Sequence, residues 1–150
     1  MRFSRPVAVV ISTLAAITLL ATPASAESFG PIKSSCSGTR VATWQLSDGG
    51  TSLGRTELWY SSVSGGQNCV VTYNYLAGSV PTGVSLWVDD NNSRTLDSGD
   101  RNSYDFDVYA SYAGASYRNS TNGHCVKVKG EVSGPGGLYD SFVTGWRNCG

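Results

Sequence analysis

The only histidine in the chain is His124, and it stands beside Cys125. A serine or cysteine nucleophile would need it as the base. Gly50-Thr-Ser-Leu-Gly54 matches the G-x-S-x-G spelling of a nucleophile elbow. That elbow works only at a tight strand-to-helix turn, which lifts the serine hydroxyl into view. Here a polar turn precedes the motif, an extended stretch follows it, and no helical stripe lies nearby. The segment reads as a glycine-rich hairpin and His124 as a loop residue, so no catalytic residue is assigned.

The stretch from Asp89 to Asp100 carries the densest set of oxygen donors. Counted from Asp89, the residues Asn91, Ser93, Thr95, Asp97 and Asp100 fall where an EF-hand loop offers ligands. Arg94 stands where that loop needs its turn glycine, no helices flank it, and a terminal Asp reaches less far than Glu. A solvated hairpin loop is the plainer reading; no metal is assigned, and the loop stays a calcium candidate. Asp105 and Asp107 lie on one face of an extended run, but nothing implies the deep cleft that glycoside hydrolysis needs. Trp59, Trp87 and Tyr109 sit on what should be polar faces, beside Glu57, Ser85 and Asp107. Exposed rings next to carboxylates and amides suit a sugar-binding surface, and these three are the candidate ligand-binding residues. No cofactor is expected.

The scaffold that must position these groups starts after an export signal. Arg2 and Arg5 precede an apolar run from Val7 to Ala21, and Pro23-Ala-Ser-Ala26 offers small residues at a cleavage site. Residues 1–26 therefore read as a signal peptide and 27–150 as one secreted domain. No later stretch is apolar enough to span a bilayer, so no membrane partner is expected after cleavage. Residues 27–150 hold nine Lys and Arg against eleven Asp and Glu, about −2, with the basic residues scattered. That distribution lacks the basic stripe of a nucleic-acid binder. Cys36, Cys69, Cys125 and Cys149 are an even set in an exported chain, too widely spaced for a zinc site, and read as two disulfides. Three pairings are open; the shorter loops favour Cys36–Cys69 with Cys125–Cys149.

The organising stretch is Gly65-Gly-Gln-Asn-Cys-Val-Val-Thr-Tyr73, a glycine turn running into a β-branched strand with a cysteine at its mouth. Residues 27–39 read as a loose lead-in and 77–83 as a Gly/Pro loop. Alternation predicts a strand with Tyr104, Phe106, Val108, Ala110 and Tyr112 buried, and Ser103, Asp105, Asp107, Tyr109 and Ser111 wet. Further one-sided runs lie at 41–46, 84–89, 126–132 and 139–147. The expected fold is all-β: an antiparallel β-sandwich or small barrel of seven to eight short strands with two disulfides.

Leu58-Trp-Tyr-Ser61, Gln67-Asn-Cys-Val-Val-Thr72, Asp97-Ser-Gly99, Tyr112-Ala-Gly114, Gly123-His-Cys-Val126 and Asn148-Cys-Gly150 follow one another through most of the chain. In their order and spacing they resemble the spore-associated protein A family of small exported actinobacterial proteins. The resemblance implies a secreted, extracellular protein without enzymatic activity, associated with the spore or cell surface. The middle, Gly78 to Tyr109, departs from the family pattern by being longer and richer in Asp and Asn. Partners would be components of the cell envelope or spore surface, or polysaccharide. The alternatives are a secreted polysaccharide-binding module and a disulfide-stapled inhibitor of secreted hydrolases presenting Gly78-Ser-Val-Pro-Thr-Gly83.

Overall fold

The computed structural model describes residues 27–150; the expected signal peptide, 1–26, lies outside the described residues. The chain folds as an all-β antiparallel sandwich. Its strands are β1 (Glu27–Phe29), β2 (Thr39–Asp48), β3 (Thr51–Ser61), β4 (Gln67–Asn74), β5 (Val80–Val88), β6 (Arg101–Tyr109), β7 (Tyr112–Arg118), β8 (Val126–Ser133) and β9 (Tyr139–Val143). One sheet runs β1-β6-β5-β8-β9 and the other β2-β3-β4-β7. The strand beyond the expected seven or eight is β1, three residues long.

Each junction has a local cause. Gly49 and Gly50 both take positive φ, +53° and +85°, between the paired residues Asp48 and Thr51. Two left-handed residues in a two-residue loop form the turn whose twist matches a hairpin, and glycine adopts it without strain. The lead-in is not loose. Glu27–Phe29 adds to the edge of β6, and Ile32 bridges Ser116 within β7, the edge strand next to β4. The segment thereby spans the open side between the two sheets. Cys36–Cys69 and Cys125–Cys149 are both formed, the pairing that closes the shorter loops. No helix among the described residues is long and apolar enough to cross a membrane.

The interior holds Leu58, Val70, Val84, Leu86, Val88, Val126 and Val128, with Ala42, Trp44 and Phe142 against them. A second cluster of Leu46, Leu53, Val80 and Val132 continues it. The sheets approach so closely at Gly130 that a Cβ there would overlap the Thr56 hydroxyl and crowd Phe142.

Two further expectations are corrected. The 77–83 segment is largely strand: β5 starts at Val80, and Thr82 and Gly83 are buried. Pro81 is tolerated because it lies one residue before the β5–β8 ladder begins at Thr82. Of this segment only Ala77 to Ser79 remain in the loop that joins β4 to β5. The strand predicted across 103–112 exists but ends at Tyr109, and its faces are reversed. Asp105 is 5% exposed while Phe106 is 38% exposed. The inward carboxylate is satisfied on both oxygens, accepting from the Tyr109 hydroxyl (2.6 Å) and the Gly114 amide (2.7 Å). A buried polar group costs little once bonded, whereas leaving apolar area wet costs only its own transfer energy.

Candidate functional site

The three predicted rings do not meet. Trp59 faces outward on the four-stranded sheet, beside Glu57. Trp87 pairs with Asn102 and Lys127 on the outer side of the opposite sheet. Tyr109 is turned inward, packed on the core and bonded to Asp105. Burial, then that bond, pushes the Tyr109 phenol above its ordinary value. Asp105, saturated by two donors, is a structural carboxylate, and Asp107 pairs with Thr82 instead of facing a cleft.

The elbow serine, Ser52, lies within β3, directly after the hairpin turn. His124 Nδ1 meets the Asp89 main-chain carbonyl at 3.0 Å. No serine hydroxyl among the described residues is hydrogen-bonded to it. In the 89–100 loop, Asp89 is buried and accepts from the Ser93 and Arg94 amides at 2.9 and 3.1 Å. Asp97 accepts from Asn91 Nδ2 and Ser93 Oγ, and Asp100 accepts from the Asp97 amide. Arg94 supplies the left-handed turn itself, at φ +59°. Among the described residues no three His, Cys, Asp or Glu are placed to hold a metal ion together. The donors of this loop knit it to itself.

The arrangement with chemical character is the outer face of the four-stranded sheet, where cross-strand pairing lines up rows of side chains. One row is Gln45–Arg55–Tyr73–Tyr112. The next is Thr43–Glu57–Val71–Gly114, and the third is Arg40–Trp59–Cys69–Tyr117. Residues two apart on a strand point the same way, roughly 7 Å apart, so the outer rows lie about 13 Å from each other. The middle row is short-chained apart from Glu57, and the large groups of the flanking rows lie over it. Val71 is buried as a result, and Glu57 is only 2% exposed despite facing outward.

Glu57 is held by three donors: Arg55 Nε (2.8 Å), Arg40 Nη1 (2.9 Å) and Trp59 Nε1 (3.1 Å). Arg55 also donates to the Tyr75 hydroxyl (2.5 Å) and stacks 4.6 Å from the Tyr73 ring centre. Tyr73 and Tyr112 meet with centroids 6.0 Å apart. At the far edge Lys33 lies 5.0 Å above the Tyr117 ring and bonds to Gln67. Tyr75 and Tyr112 are exposed. The result is a platform of rings and guanidinium groups fixed on four strands. Cys69, in the third row, carries the lead-in onto this face through Cys36, and Tyr112 donates to the Ser34 carbonyl of the same segment.

Of these residues only Trp59 is among the candidate binding residues from sequence. Arg55 two positions before Glu57, and Tyr73 two before Tyr75, are the signals that place each pair on one face. The step from shared face to shared patch needed the register between strands.

Burial pulls the Glu57 carboxyl upward, but the bonds from Arg55, Arg40 and Trp59 outweigh it and hold the group below its ordinary 4.5. Asp90 behaves alike: burial raises it, and Arg101, bonded to both oxygens at 2.6 Å, brings it below 3.8. In both cases the unfolded chain takes up protons first as pH falls. The stabilisation is therefore complete above the unfolded-state values and is lost as pH drops through the folded-state ones. Melting temperature should stay level from neutral pH down to about 5 and decline only below about 4. Glu57→Gln should lower it at pH 7 and make the acid decline shallower; thermal melts followed by circular dichroism from pH 7 to 2 measure both.

Compared with known proteins, this chain matches no protein-family model, no curated protein and no solved structure.

Proposed function

We propose that this chain is a non-enzymatic exported protein that associates with the cell envelope or spore surface by binding polysaccharide. The binding surface is the outer face of the four-stranded sheet. The observation that carries this reading is the pair of outer rows, with Arg55, Tyr73 and Tyr112 on one side and Arg40, Trp59 and Tyr117 on the other. Sugar rings offer apolar C–H faces that stack on flat aromatic side chains, and hydroxyls that bond to guanidinium and amide groups. Rings already fixed on paired strands lose little freedom on binding, which favours a rigid platform over a loop.

Export is supported by the signal-like residues 1–26 and by the two disulfides, which persist in oxidising compartments. The surface address is supported by the resemblance to the spore-associated protein A family.

The test is retention on insoluble cell-wall polysaccharide. Tyr75→Ala and Tyr112→Ala should each weaken retention about 3- to 10-fold, near 1 kcal/mol per stacked ring. Trp87→Ala, on the other sheet, should bind like the parent. Undiminished retention of the Tyr75→Ala/Tyr112→Ala double variant would remove the polysaccharide reading.

A further inference from the structure

The charge on the ring-bearing face differs in sign from the charge of the chain. Residues 27–150 carry about −2 overall. On this face, however, Arg40 and Arg55 share a single carboxylate, Glu57. Glu57 is buried beneath the side chains that bond to it, while the Arg40 side chain remains 52% exposed. Lys33 adds a third cation at the edge, over Tyr117. Most other carboxylates lie elsewhere, in the 89–100 loop and on strands of the opposite sheet such as Asp105, Glu131 and Asp140, while Asp48, at the hairpin end of β2, accepts from the Tyr139 amide of the opposite sheet. An approaching ligand therefore meets cations and rings, with the one local anion screened below them.

Donor supply points the same way. A guanidinium carries five N–H groups. Arg40 commits Nη1 to Glu57, and Arg55 commits Nε to Glu57 and Nη1 to Tyr75. Donors remain on both groups, set in the planar fork that fits carboxylate and phosphate oxygens.

We propose that the polysaccharide taken by this face is anionic, with its carboxylate or phosphate groups seated on Arg40 and Arg55 and its sugar rings on Tyr73, Tyr75 and Tyr112. This rests on the polysaccharide-binding reading above and names its ligand class. Arg55 is fixed between two tyrosines and Glu57, so it gives a rigid contact; Arg40, at the open margin, reaches for the next charge along the chain. The attraction acts between partly exposed groups, so added salt weakens it.

The experiment is a titration of the exported protein with three soluble polymers of similar length: a neutral β-glucan, a polyuronate and a poly(glycerol phosphate). At about 50 mM salt at least one anionic polymer should bind roughly tenfold more tightly than the neutral one, and the gap should close by about 500 mM. Arg40→Gln should lose about 3- to 10-fold on the preferred anionic polymer, Arg40→Lys should recover part of it, and Lys129→Gln on the opposite sheet should change nothing. Preference for the polyuronate identifies carboxylate as the recognised group, and preference for the poly(glycerol phosphate) identifies phosphate. Equal binding of neutral and anionic polymers, or binding indifferent to salt and to Arg40→Gln, overturns the inference while leaving polysaccharide binding intact. Failure to bind any of the three, or insoluble wall material, removes both.

Discussion

Truncating Asp105 to alanine is expected to cost the fold roughly 2–5 kcal/mol, while the same truncation at the next residue, Phe106, costs at most about 1. The order follows from how β6 faces. Asp105 is buried and accepts from the Tyr109 hydroxyl and the Gly114 amide. Its loss strands two donors inside the sandwich. Each buried donor left without an acceptor forfeits its full desolvation cost, about 1–3 kcal/mol. Phe106 stands on the outer surface, leaning over Gly83, and keeps much of its area in water. Urea unfolding of both variants measures the pair. A Phe106→Ala variant less stable than Asp105→Ala would mean that β6 turns its apolar residues inward after all.

The second large effect belongs to the disulfides. Replacing both Cys36 and Cys69 by serine should lower stability by roughly 3–4 kcal/mol, because the unfolded chain regains the freedom of a loop 33 residues long. The Cys125–Cys149 loop is shorter, 24 residues, and its removal should cost slightly less on the same logic. The two losses should differ in kind as well as size. Cys36 ties the lead-in to the outer face of β4, within the row of Trp59 and Tyr117, so its removal should also weaken polysaccharide retention. Cys125–Cys149 fastens the C-terminal tail at the other sheet and should leave retention unchanged in the fraction that stays folded. Melting temperature and wall retention, measured on both double variants, separate these outcomes.

The all-β class and the presence of two disulfides could be read from the residues; the pairing that formed was favoured only by its shorter loops, with three left open. Glycine pairs such as Gly49-Gly50 mark hairpins, alternating runs mark strands, and an even set of widely spaced cysteines behind a signal-like start marks disulfides. Face assignment failed where the chain breaks the rule behind it. Alternation assumes that the polar side is the wet side, but this sandwich runs a bonded polar stripe through its interior. Thr56 and Thr72 share a hydrogen bond of 2.8 Å, Asn74 donates to the Tyr109 carbonyl, and Asp105 holds Tyr109. Such partners come from three different strands, and the pairs that cross between strands lie in no common local window.

The proposed binding face was hidden for the same reason. Trp59, Trp87 and Tyr109 all look alike in sequence, as rings beside polar neighbours. Only register separates the one on the platform from the one on the other sheet and the one in the core. Arg40 and Arg55 lie fifteen positions apart and meet because both reach Glu57.

The seating of Glu27–Phe29 against Tyr104–Phe106 has a bearing on how the molecule is made. Synthesis delivers the chain from its N-terminus, so the first strand has no neighbour until most of the polypeptide has been released. The β2–β3–β4 meander can zip early, yet its fourth member, β7, arrives later still, and the tail bond from Asn148 to Asn68 comes last. Partners so remote in sequence make for slow assembly, and an unpaired strand margin stays open to foreign chains in the meantime. Completion of the fold is thus deferred until nearly the whole polypeptide has been released.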